Sequence, residues 1–283
     1  MALSHPFLVG DVACHVLQDG ELVAPASMTV ANASGPEVDA ELQRLGVGPD
    51  GTVSYPLNAL LARTPHGAVL VDAGTGGAVP GTGHLLDALR ETGTSPDDVA
   101  AVVVTHAHFD HLGGLLTSGR PTFPRARVVL ARPEHEFWAA RPTLEELAVP
   151  DALRVPLRAV PDAVLPAVAD RLDLLAFDDE VVPGVRLREA VGHTPGHTVV
   201  EITSGAETLV CLGDAVTLAM QLRHPGWLGP VENQPERSVP TRRRLLDRAV
   251  AERQLLFAAH LPFPGLGRVT AAEGDTYAWE PAA

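Results

Sequence analysis

The chain contains no lysine; all 21 of its basic residues are arginine. That absence removes Schiff-base lysine chemistry, pyridoxal phosphate attachment and the lysine of nucleotide-binding phosphate loops. Positive charge is scarce altogether. Against 35 acidic residues it leaves a formal charge of −14. A nucleic-acid backbone or an anionic membrane surface needs clustered cations, so neither is an expected partner. Cysteine occurs only as Cys14 and Cys211, too few for a disulfide framework. Cys211 sits in the apolar run Leu209–Leu212, as a buried small side chain would. No apolar run approaches the ~20 residues of a spanning helix. Met1 to Gly10 lacks the basic-then-apolar order of a secretion signal. These absences lead us to expect a soluble, cytoplasmic protein.

At 46% hydrophobic residues, a chain of this length can bury about three quarters of its unfolded surface. No repeat and no Gly/Ser-rich linker divides it, so one domain is expected. Short apolar runs read as strands at 55–62, 68–71, 101–104, 128–131, 172–176, 185–190, 199–203, 208–212, 255–258 and 277–279. Helical spacing marks 84–91 and 242–253, and a helix opens at Pro133. Pro- and Ala-rich helical or loop material fills 143–170. Strand groups with helices between them imply an α+β fold of packed sheets covered by helices.

The chemistry concentrates in Thr105-His-Ala-His-Phe-Asp-His-Leu-Gly-Gly114, directly after the strand at 101–104. His106, His108, Asp110 and His111 place four metal-competent groups within six residues. Alternation at a strand end aims His106 and His108 the same way, and the following turn can swing Asp110 and His111 to a second point nearby. Imidazole and carboxylate donors suit zinc, and also manganese, cobalt or iron. Three further candidates each follow a strand: the segment His193-Thr-Pro-Gly-His197, then Asp214, then His260. This stock of donors is enough for two ions. Glu134-His-Glu-Phe137-Trp138 places two aromatics on a helix that could cover a pocket, and Phe263 stands close to His260. The run Arg242–Arg244 reads as a solvated helix face.

Taken together, the HxHxDH loop, the PGH segment, the Gly213-Asp214 pair and the late His260 resemble the metallo-β-lactamase superfamily in order and approximate spacing. The resemblance runs from about Val53 to the C-terminus. It implies a four-layer αββα sandwich, preceded within a single domain 1–283 by an N-terminal extension of about 50 residues. Within the superfamily, His260-Leu-Pro-Phe-Pro-Gly-Leu-Gly-Arg268 resembles the methyl parathion hydrolase-like group. The resemblance implies that His106, His108 and His197 bind a first metal and that Asp110, His111 and His260 bind a second. Asp214 would bridge both, and Asp110 and Asp214 would be the catalytic carboxylates. Asp72 matches the superfamily's first motif and would support the metal loop, with His193 behind the ligands.

The implied enzyme holds two divalent ions, zinc first. A metal-bridging hydroxide, available because bound water has a pKa near about 7, would cleave small neutral esters, lactones or organophosphate triesters. Its partner is a small molecule, and the resemblance adds a homodimer. Phe137, Trp138, Thr217 and Phe263 are the expected pocket residues. A homoserine lactonase is an alternative, but such enzymes carry a Tyr three residues after the bridging Asp, and the Thr217 of this chain departs from that style. A mononuclear iron dioxygenase on the same fold is another, which the complete donor set disfavours. A non-catalytic metal-stabilised binding protein is the third.

Overall fold

The computed structural model describes residues 2–48 and 50–282. Its first sheet holds seven strands: β1 (Ser4–Val9), β2 (Val12–Pro25), β3 (Thr52–Thr64), β4 (Gly67–Val71), β5 (Val99–Val103), β8 (Arg127–Ala131) and β9 (Leu172–Leu175). The small hairpin β6 (Leu116–Thr117) and β7 (Arg120–Pro121) lies outside it. The second sheet is β10 (Glu180–Val182), β11 (Val185–Glu189), β12 (Thr198–Ser204), β13 (Glu207–Cys211), β14 (Leu255–Phe257), β15 (Leu266–Ala272) and β16 (Thr276–Pro281). The helices are α1 (Pro36–Arg44), α2 (Leu85–Glu91), α3 (Phe109–Leu112), α4 (Arg132–Ala139), α5 (Asp151–Ala167), α6 (Met220–Arg223) and α7 (Pro235–Glu252).

Side-chain alternation along the strands builds the layers. Leu60, Ala62, Val69, Val71, Ala101 and Val103 point inward, onto Leu187, Val200, Leu209 and Cys211 of the second sheet. Their neighbours Leu61, Leu70 and Val102 point the other way, onto Leu85 and Leu89 of α2 and Trp138 of α4. On the far side Val199, Val210 and Leu256 pack under Leu245, Leu246 and Ala249 of α7. The result is the expected αββα order, two sheets face to face with helices outside.

The N-terminal fifty residues are not an appendage. β1 and β2 are integral strands of the first sheet, with β2 paired to β3 along almost its whole length. Both alternate against a buried face, yet Gly20 and the bulge between Gln18 and Gly20 break the period that would announce one long strand. That bulge turns Asp19 inward. Its carboxylate accepts from the Thr75 and Leu85 backbone N–H groups at 2.9 and 3.0 Å, tying the start of α2 to the loop after β4. The run at Arg242 also differs from its expected role. Arg242 is 1% exposed, and its guanidinium donates to the carbonyls of Ala215, Pro225 and Trp227. Among the described residues no helix is long and apolar enough to cross a membrane.

Cys14 and Cys211 both lie free in the layer between the sheets. Burial pushes the Cys14 thiol up to about 12 and Cys211 well above its ordinary range. A thiolate-specific reagent is therefore expected to label neither in the native protein and both after denaturation. A promptly labelled thiol in the native state would contradict the sheet packing.

Candidate metal centre

Strand ends on one rim of the sandwich carry the site. After β5 the chain turns through Thr105 and presents His106 and His108, then enters α3 with Asp110 and His111. Asp72, just after β4, organises this turn from below. Its Oδ1 accepts the Thr105 backbone N–H at 2.8 Å, and its Oδ2 accepts His111 Nδ1–H at 2.8 Å. Asp72 itself adopts a left-handed φ of 62°, which Asp tolerates better than most residues. Gly114 lets the two loops touch, since a Cβ there would lie 1.9 Å from the Ala73 carbonyl.

Two groups of donors result. In the first, His108 Nδ1 lies 3.0 Å from both His106 Nε2 and His193 Nε2, and His193 Nε2 is 3.1 Å from Asp214 Oδ2. In the second, His260 Nε2 lies 3.3 Å from His111 Nε2 and 3.7 Å from Asp110 Oδ2. The other oxygen of Asp214, Oδ1, is 3.0 Å from both His111 Nε2 and His260 Nε2. One carboxylate therefore faces both groups, an oxygen to each.

The outward nitrogens decide what the inward ones can do. His260 Nδ1 faces the Pro56 carbonyl at 2.9 Å, which only accepts, so Nδ1 carries the proton. His111 Nδ1–H is committed to Asp72 in the same way. The neutral rings thus turn bare lone pairs toward one another and toward Asp214. Such a set of buried acceptors requires a cation at its centre. Donors about 2.0–2.1 Å from one tetrahedral zinc would stand about 3.3 Å apart, close to the spacings here. The protonation balance points the same way. Burial disfavours a charged His111, but Asp214, Asp72 and Asp110 outweigh it and hold its pKa well above the ordinary range. Burial likewise opposes ionised Asp214, and the surrounding imidazoles still hold it well below its own. The residues fit two divalent cations.

This geometry corrects the PGH segment. His193, expected behind the ligands, faces the first group, and His197, expected as a ligand, stands outside both. His197 has no nitrogen to spare: Nδ1–H donates to the Ala190 carbonyl at 2.9 Å, and Nε2 accepts the Asp214 backbone N–H at 2.9 Å. Burial and the adjacent His193 push its pKa down to about 4, which suits an acceptor. A Cβ on residue 213 would come 2.6 Å from His197 Nε2, so glycine is required there. His197 thus fixes the backbone from which Asp214 reaches the centre.

Glu134 has no counterpart in the sequence reading. It is fully buried at the start of α4, and its Oε1 accepts from Ala107 N–H and Trp138 Nε1–H at 2.9 and 2.8 Å. Oε2 accepts from the Thr194 hydroxyl and Gly196 N–H at 2.6 and 3.0 Å. Glu134 therefore locks the His106–His108 turn to the loop carrying His193. Only an acidic residue in the first turn of a helix signals it in sequence, and exposed helices share that feature. Glu232 stands behind His193, its Oε2 at 3.4 Å from Nδ1.

A cavity of about 550 Å³ opens over the donors. His108, Asp110, His193, Asp214 and His260 form its floor, and Leu22, Met28, Tyr55, Phe109, Leu157 and Val231 are among the residues of its walls. Of the expected pocket residues only Thr217 lines it. Trp138 is buried under the metal loop, its ring edge-on to His108 at 5.7 Å, and Phe137 packs beside it in the helix layer. Phe263 packs against the inter-sheet core and His5. The helix carrying the two aromatics lies beneath the site and not over it.

Fold and donor set together define a metal-dependent hydrolase on an αββα sandwich. The family model described as "Metallo-beta-lactamase superfamily" matches residues 55–260, and the chain belongs to that superfamily. Among its relatives, the N-acyl homoserine lactonase of Bacillus thuringiensis is 24% identical over 234 residues, 75% of this chain and 84% of that enzyme. That of a Bacillus sp is 28% identical over 169 residues, 53% of this chain but only 59% of the enzyme's own length. The solved structure of AidC, described as a dizinc quorum-quenching lactonase in complex with a product, is similar at TM-score 0.89 and 25% identity. It covers 100% of this chain and 99% of its own. The hydrolase AbOPH, described as in the beta lactamase superfamily, gives TM-score 0.89 at 26% identity, covering 100% and 98%.

Replacing His193 with Ala is expected to lower bound zinc from two ions to about one per chain. His197→Ala should keep both and lose about 1–3 kcal/mol of stability through the unsatisfied Asp214 N–H. Metal analysis and denaturant melts on the two variants separate these roles, and the reverse pattern would restore His197 as the ligand. Glu134→Gln keeps one oxygen as an acceptor but turns an amide NH₂ toward two of the four donors. It should cost about 1–3 kcal/mol and weaken zinc retention against a chelator.

Proposed function

We propose that this protein opens the ester bond of a lactone, with N-acyl homoserine lactones the first substrates to test. The observation that carries the reading is the pair of donor groups sharing Asp214 at the floor of an apolar pocket. His106, His108 and His193 would hold one divalent ion, Asp110, His111 and His260 the other, and Asp214 both. When bound, two zinc ions would supply Lewis-acid polarisation of the ester carbonyl and a nucleophile at neutral pH. The chain does the rest. Asp72, Pro56 and Glu134 keep the donor rings oriented, and the apolar walls exclude water and receive an uncharged substrate arm. The lactonase relatives and the dizinc neighbour support this choice of bond and metal. They outweigh the different residue at position 217.

The resemblance of residues 260–268 to the methyl parathion hydrolase-like group favours neutral phosphotriesters as a second reading. Family resemblance also leads us to propose a homodimer. The test is metal analysis with hydrolysis assays on lactones, aryl esters and neutral phosphotriesters, before and after chelation. About two zinc ions per chain are expected, with lactone opening abolished by chelator and restored by zinc. Chelation should also cost about 2.7 kcal/mol of stability for each site held at a hundredfold its Kd. One iron per chain with oxygen consumption and no hydrolysis would overturn the reading.

A further inference from the structure

The pocket holds few polar side chains besides the metal donors, and nearly all are committed. The Thr29 hydroxyl donates to the Ala26 carbonyl at 2.7 Å. The Thr217 hydroxyl donates to Gln221 Oε1 at 3.2 Å. Glu232 accepts from the Ser238 hydroxyl at 2.7 Å. Tyr55 differs. It lines the same cavity, and among the described residues its hydroxyl meets no hydrogen-bond partner. Burial alone raises its pKa, with no neighbouring charge or hydrogen bond contributing.

Its position is also fixed. Tyr55 lies on β3, paired with Leu22 of β2. Its ring packs with the cluster of Leu218, Met220 and Trp227. The next residue, Pro56, supplies the carbonyl that orients His260. One stretch of strand therefore sets both a metal-donor ring and this phenol, and a strand holds such groups more precisely than a loop. A phenol O–H that opens onto an apolar cavity with no protein partner keeps a free donor, which an acceptor on a ligand can occupy as the ligand displaces water.

We infer that Tyr55 is a specificity residue whose hydroxyl donates to a neutral acceptor, an amide carbonyl, on the substrate arm beside the scissile ester. The inference rests on the lactone reading and narrows it to substrates whose apolar arm joins the ring through an amide. Among the described residues the walls offer no arginine to pair an anionic arm, so an uncharged arm suits them.

The test compares zinc-loaded wild type with Tyr55→Phe on two γ-lactones of equal length, one bearing an arm amide and one a plain alkyl arm. Zinc content and Tm of the variant are checked first, since Phe keeps the ring and its packing. For the amide lactone, kcat/KM should fall roughly threefold to tenfold, the worth of one hydrogen bond, mostly through KM. The alkyl lactone should be unaffected. Calorimetric binding of the corresponding non-hydrolysable lactams should show the same selective loss without turnover. An equal loss on both compounds, or none on either, overturns the role of Tyr55 while leaving lactone hydrolysis standing. If wild type cleaves only aryl esters, the lactone reading falls, and amide-bearing and plain esters judge Tyr55 by the same difference. Hydrolysis of neither class overturns both.

Discussion

A buried carboxylate shared between two sets of imidazole lone pairs is the constraint on which this structure turns. Asp214 presents Oδ1 to His111 and His260 and Oδ2 to His193. None of these inward atoms can satisfy another while the rings are neutral, because their protons are pointed outward. Left without cations, the group would either take up protons or push its members apart. The raised pKa of His111 and the lowered pKa of Asp214 express that demand for positive charge. The fold accepts this local cost and offsets it with the packing of the two sheets around it.

The outer contacts follow from that demand. Asp72, the Pro56 carbonyl and Glu134 each accept a hydrogen bond from a donor ring or its loop. Glu134 and His197 act across the molecule. The first joins the loop after β5 to the loop after β11, and the second pins the Asp214 backbone to the end of β11 through Ala190. Arg242 extends the same logic outward, binding the carbonyl of Ala215 beside Asp214 and those of Pro225 and Trp227 near the pocket wall. Its burial is tolerable because three carbonyls and Glu232 surround it.

Around this charged floor the pocket is apolar, and part of its wall comes from β2, far from the metal motifs in sequence. An excess of acidic residues outside and a cation-demanding floor inside suit a neutral small molecule better than an anion.

The donors themselves were legible in the sequence. His106, His108, Asp110, His111, Asp214 and His260 each sit just past an apolar strand, and strand alternation already separates inward from outward positions. Local chemistry sufficed there, because a strand end fixes direction. The choice between His193 and His197 was not legible, because both lie in one turn-rich segment whose backbone path depends on what it packs against. Only the fold supplies His197 with Ala190 on one side and Asp214 N–H on the other, leaving His193 to face the centre. The same reason hid Glu134, Asp19 and Arg242. A charged residue on a helix or bulge reads as solvated until tertiary contacts bury it among opposite partners. The aromatics at 137 and 138 were misplaced for a related reason: helical spacing gives a buried face but not which layer that face meets. Sequence alone determined the donor chemistry and the strand-by-strand layering, both short-range. Tertiary structure decided which imidazole faces the centre and what lines the pocket, because those depend on loops that meet only when the two sheets pack.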